Sequence, residues 1–129
     1  MDNDHQLRWY VAVVVVRARI DDEWHDDYLI DHQVRLVQAS DAESAHRRAL
    51  ELGKAAEHSY ENGDGATVRW EFVGLADLDE IQASAIDDGV EVYSWRARGH
   101  PEEAVVPKDK LAVFWLADNA HREVEDLLE

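Results

Sequence analysis

The sequence predicts an α+β fold: a four-stranded antiparallel sheet in ββαββα order, with the main helix and a C-terminal helix packed on one of its faces. Three observations carry this expectation. Two long strand-like runs, residues 9–20 and 28–39, come before any helical period. A helix-start signal at Ser40 then opens a run with apolar residues three and four apart. After the strongest turn signal in the chain, Glu61-Asn62-Gly63-Asp64-Gly65, two-residue alternation returns. At 129 residues and 46% apolar, the chain has material for one core. A single domain over 1–129 is therefore expected, with its core at 8–98, a linker at 99–107 and a helix at 108–129.

The first run, 9–20, is β-branched, aromatic or small almost throughout, which favours a strand over a helix. A polar, acidic loop follows, and then the alternating run 28–39. There Tyr28, Ile30, His32, Val34 and Leu36 share one face and Asp31, Gln33 and Arg35 the other, so the first set is expected in the core and the second in water. Ser40 and Glu43 have the spacing of a capping box, in which hydroxyl and carboxylate satisfy each other's amides. Ala42, Ala45, Ala49, Leu52, Gly53 and Ala56 form a stripe of small residues that lets the helix lie close on a sheet, ending near His58 or Ser59. Val68, Trp70 and Phe72 against Arg69 and Glu71 predict a third strand over 67–75. Leu78, Ile81 and Ala85 suit a short connector helix, and 90–98 a fourth strand opened by Asp88-Gly89. From Pro107, the positions Val113, Leu116, Ala117, Ala120, Val124, Leu127 and Leu128 make a helical stripe, although 111–116 also reads as a fifth strand.

Composition narrows the function classes. Thirteen Lys plus Arg against 29 Asp plus Glu give a formal net charge of −16. Such a field repels phosphate, so neither nucleic acid nor an anionic membrane is an expected partner. No cysteine is present, which removes a disulfide scaffold, a thiolate metal site and cysteine catalysis together. No leader is readable at the N-terminus, and the most apolar run, 9–16, is far short of the roughly twenty residues of a spanning helix. The expected compartment is the cytoplasm, with no cofactor.

Several blocks in order carry a family resemblance: Trp9-Tyr10-Val11-Ala12, then Glu57-His58-Ser59-Tyr60 with Val68-Arg69-Trp70-Glu71-Phe72-Val73-Gly74, then Asp88-Gly89-Val90-Glu91-Val92-Tyr93-Ser94. Over residues 8–96 the chain resembles the uncharacterised bacterial family called domain of unknown function 4288. The resemblance implies a small single-domain bacterial protein. It carries over no catalytic residue or ligand.

Candidate chemical groups are thin. Gly63-Asp64-Gly65 lies between a helix and a strand, the reverse of a phosphate-binding loop. As a calcium loop counted from Tyr60, it lacks the first carboxylate, which leaves a plain turn. The acids of 77–80 and Asp87-Asp88 read as solvated helix caps. His25, Asp26, Asp31 and His32 are the best metal-ligand set, but alternation sends Asp31 and His32 to opposite faces. Ser59 beside His58 and Tyr60 has no strand-to-helix elbow to expose a nucleophile, and His58 suits the last carbonyls of its helix instead.

The most informative residues are the arginines. Six of ten, Arg17, Arg19, Arg35, Arg69, Arg96 and Arg98, fall in expected strands, while most acids fall in loops and helices. A sheet covered on one side would then show an arginine-bearing open face, either paired across strands with Glu71, Asp31 and Glu91 or free to bind. Together these features predict a non-enzymatic, acidic protein-interaction module, an adaptor or an immunity-type inhibitor, whose partner is another protein or a second copy. The alternative from another class is a small enzyme or anion-binding protein in which the arginines hold a phosphate or carboxylate. A flat face with paired arginines favours the first, and a pocket of converging, unpartnered arginines the second.

Overall fold

The computed structural model describes residues 6–21 and 28–114. Contacts divide the chain into two compact units, Met1–Ser94 and Trp95–Glu129, each taken by itself. The first holds β1 (Arg8–Ile20), β2 (Leu29–Ala39), α1 (Ala42–Ala55), β3 (His58–Glu61) and β4 (Thr67–Glu80). The strands form one four-stranded antiparallel sheet in the spatial order β2-β1-β4-β3, and the fold is α+β, as the sequence predicts. In the second unit, 3₁₀ turns occupy Pro101–Ala104 and Lys108–Lys110. The helix expected over 108–129 does not start at 108, because Lys108–Lys110 is a 3₁₀ turn and Leu111 is extended (ψ 139°); a helical turn begins at 112, and 115–129 lie outside the described residues.

β1 is one of the two inner strands, and it is apolar on both faces. Tyr10, Ala12, Val14, Val16 and Ala18 are buried on one side, and Val11 and Val13 on the other. α1 lies on the first side. Its Ala45 and Ala49 pack with Tyr10, Ala12, Val37 and Ala39, joined by Leu52, Leu75 and Leu78. Small side chains on the inner stripe bring the helix close to the sheet. At Gly53 a Cβ would run into the Phe72 ring, so the glycine is set by the approach of helix to strand. β4 carries two register irregularities against β1, between Val13 and Val14 and between Val15 and Val16, while the β1–β2 register runs without a break.

The structure corrects the sequence reading at five places. The helix cap is Asp41, not Ser40: residue 41 is extended (φ −154°, ψ 172°), and its Oδ1 accepts the Ser44 amide at 2.7 Å. A carboxylate there answers both the orphan amide and the helix dipole, which a hydroxyl does less well. α1 ends at Ala55 rather than near Ser59, because His58–Glu61 pairs with β4 and its backbone groups find partners in the sheet. The expected connector helix does not form: its first residues end β4, and 81–87 are irregular. Asp77, Leu78, Asp79 and Glu80 pair with Val13, Ala12, Val11 and Tyr10, a ladder that outweighs two turns of a marginal helix. No strand forms at 90–98, where the chain is irregular. The fourth strand of the sheet is β3.

The fifth correction concerns β2. Val37 and Ala39, in register with Tyr10 and Arg8, are the buried residues of this strand. Ile30, His32, Val34 and Leu36, expected in the core, are exposed. Gln33 and Arg35, expected in water, are half-buried on the side that α1 covers.

Candidate interaction surface

Alternation on β1 places Arg17 and Arg19 on the face opposite α1, across from Glu71 and Arg69 of β4. The two Nε atoms donate to the same Glu71 oxygen, Oε1, at 3.2 and 3.0 Å. Burial penalises the Glu71 carboxylate most, but the hydrogen bonds and charges of Arg17 and Arg19 together outweigh it and hold the group below its ordinary range. Both guanidinium groups also lie over the Tyr28 ring, 5.1 and 5.9 Å from its centroid. The sequence pairs Glu71 with a strand arginine. It does not reveal that one carboxylate serves two, or that an aromatic ring supports both.

The six arginines do not form one face. Arg35 is in register with Ala12 and so points to the α1 side, where its Nε and Nη2 donate to Gln33 Oε1 at 3.1 and 2.7 Å. Arg96 and Arg98 lie in irregular chain in the second unit, outside the sheet. Only Arg17, Arg19 and Arg69 share a face.

What the sheet does present there is apolar. Ile30, Val34 and Leu36 stand 52%, 58% and 46% exposed on that face of β2, alongside exposed His32. β2 is an outer strand of the sheet, 11 residues long and with no proline, lysine or glycine in it. Long regular edges without such residues readily accept another strand. The periodicity of β2 was legible in the sequence, and the side it presents to water was not.

Ser59 and His58 are neighbours in β3 and point to opposite faces; His58 Nδ1 lies 3.0 Å from the Ala56 carbonyl and its ring stacks with Trp70. Asn62 Oδ1 accepts the amides of Asp64 and Ala66, and Gly65 takes φ +81°, which makes 62–65 a tight turn. Asp77 Oδ2 accepts the Tyr93 hydroxyl at 3.0 Å; that hydrogen bond, followed by burial and the nearby negative charge, raises the phenol above its usual range. Of the metal-ligand set, Asp31 and His32 point to opposite sides of β2, and His25 and Asp26 lie outside the described residues. Two open recesses, of about 330 and 240 Å³, adjoin Glu80 and Ile81, and none of the six arginines lines either.

Residues 9–94, two thirds of the chain, match the family described as domain of unknown function (DUF4288). The chain belongs to that family. The matched region ends where the first compact unit ends, at Ser94, and contains the Glu71 cluster and all of β2. Arg96 and Arg98 fall outside it. No curated protein and no solved structure matches the chain.

Proposed function

We propose that this DUF4288 chain is a non-enzymatic, cytoplasmic protein-interaction module whose binding surface is the β2 edge with its exposed apolar row. The observation that carries the reading is Ile30, Val34 and Leu36, three large apolar side chains standing in water on one face of an unprotected edge strand. Strand addition at such an edge gains main-chain hydrogen bonds for affinity and side-chain contacts for specificity. An adaptor and an immunity-type inhibitor both fit this reading, and the −16 net charge would speed the approach of a basic partner. The anion-binding alternative loses support, because Arg17 and Arg19 are committed to Glu71 and Arg35 lies on the other side of the sheet.

The test is site-specific photo-crosslinking in the native bacterium, with a photoreactive residue in place of Val34 or, on the outer face of α1, Glu51. Protein adducts at position 34 and none at position 51 are expected. Adducts at 51 alone would move the binding surface to the helix, and adducts at neither position would overturn the reading.

A further inference from the structure

The sequence of β2 carries a symmetry that the fold leaves exposed. Its only charged residues are Asp31 and Arg35, on the same side of the strand and equally far from Gln33. Gln33 bridges them within one chain: its Nε2 donates to Asp31 Oδ2 at 3.2 Å, and its Oε1 accepts from Arg35. On the opposite side, Ile30 and Leu36 are likewise equidistant from Gln33. A strand with this arrangement complements itself when read in the reverse direction.

We infer that β2 pairs antiparallel with β2 of a second copy of this chain about a two-fold axis at Gln33, extending the two sheets into one of eight strands. The inference rests on the interaction reading above and names its partner. In this register Asp31 faces Arg35 of the second copy twice over, Ile30 faces Leu36 twice over, and His32 faces Val34 twice over. The neighbouring registers that keep side chains on their faces are worse. A shift of two residues one way sets Arg35 against Leu29 and His32 against its own copy, and a shift the other way sets Asp31 against the buried Val37.

Charge selects the same strand. β2 is neutral in a chain of net −16, so it is a place where two acidic molecules can meet without adding like charge at the contact. Its backbone is regular against β1, with no bulge to bend the outer edge away. α1 covers the Val37–Ala39 end of the strand and leaves the centre of the proposed pairing clear.

The test uses the full chain and two charge reversals, Asp31→Arg and Arg35→Asp, followed by sedimentation at 150 mM salt over a wide concentration range. The wild type is expected to dimerise reversibly. Each single reversal sets like charges opposite each other at both ends of the contact, and its dimer constant should weaken by about tenfold or more. An equimolar mixture of the two variants restores both opposite-charge pairs in a heterodimer. It should recover dimerisation to within about threefold of wild type, which no merely structural effect of either substitution would do. A wild type that stays monomeric, a dimer indifferent to both reversals, or a mixture that fails to recover would each overturn the inference. If the wild type is monomeric while position 34 still crosslinks to another protein, self-pairing falls and the interaction reading stands. With neither dimer nor crosslink, both fall.

Discussion

The two edges of this sheet are finished in opposite ways. β3 is four residues long, and where it stops Glu57 takes over: its Oε2 accepts the Phe72 amide of β4 at 3.0 Å. The rings of His58, Tyr60 and Trp70 stack beside it, with centroids 6.0 and 6.5 Å from His58. β2 is 11 residues long, and its apolar residues on one side stand in water. A short edge completed by a side-chain carboxylate offers little backbone to another strand, whereas a long bare one offers a template. β4 runs on past β3 to Glu80, but its two register irregularities against β1 fall in that stretch, whereas β2 is regular along its whole outer edge.

Four measurements sharpen or break this contrast. The largest effect is expected within β2 itself. Val37→Ala, in the core under α1, should cost about 2 kcal/mol of stability, and Val34→Ala, three residues away on the exposed row, less than about 0.5 kcal/mol. Equal urea midpoints for the two variants would mean that the exposed side of β2 is wrongly assigned. On the β3 side, Gly53→Ala gains helix propensity but presses a methyl group on Phe72, and a net loss of about 1–2 kcal/mol is expected. A more stable variant would show that α1 lies farther from β4 than the structure has it.

Between the edges, Glu71→Gln should cost about 1 kcal/mol at neutral pH by leaving Arg17 and Arg19 without their shared carboxylate. The folded-state pKa of Glu71 is depressed, so its contribution is complete above the unfolded-state value and disappears as pH falls through the folded one. Acid titrations of the variant and the wild type should therefore converge at low pH; a constant offset would mean that the pair is not electrostatic. The smallest effect lies where β2 hands over to α1. Asp41→Ala should lower the urea midpoint slightly and Ser40→Ala should leave it unchanged, with the Asp41 contribution vanishing in acid because its carboxylate, too, is held low, chiefly by the Ser44 amide. The reverse order would restore the cap to Ser40.

Much of the fold is legible in the sequence, and the failures have local causes. β1, β2 and α1 lie within a few residues of the bounds the sequence predicts, because their signals are long and consistent: a mostly β-branched, aromatic or small run at 9–20, an alternating run at 28–39, an alanine stripe. The segment after Leu75 was misread. Leu78 and Ile81 are spaced for a helix, yet β1 offers its side to β4 as far as Glu80, and that ladder is invisible until the two strands are paired. Of the candidate site, cross-strand pairing of strand arginines with Glu71 is an expectation the sequence supports, but that Arg17 and Arg19 are the partners emerges only from the β1–β4 register. Parity fails for Arg35 because alternation assigns residues to two sets without saying which set the helix covers.

The sequence by itself determined the kinds of element in the first half of the chain, the turn at 62–65, the net charge of −16, and the absence of any thiol chemistry. These follow from local backbone preference and from counting. Only the tertiary structure decided which side of β2 faces water, because that depends on where α1 comes to rest. Ala45 and Ala49 seat the helix on Tyr10, Ala12, Val37 and Ala39, over one end of β2 and on one face of it. A two-residue period is symmetric between the faces of a strand, and the position of the helix breaks that symmetry.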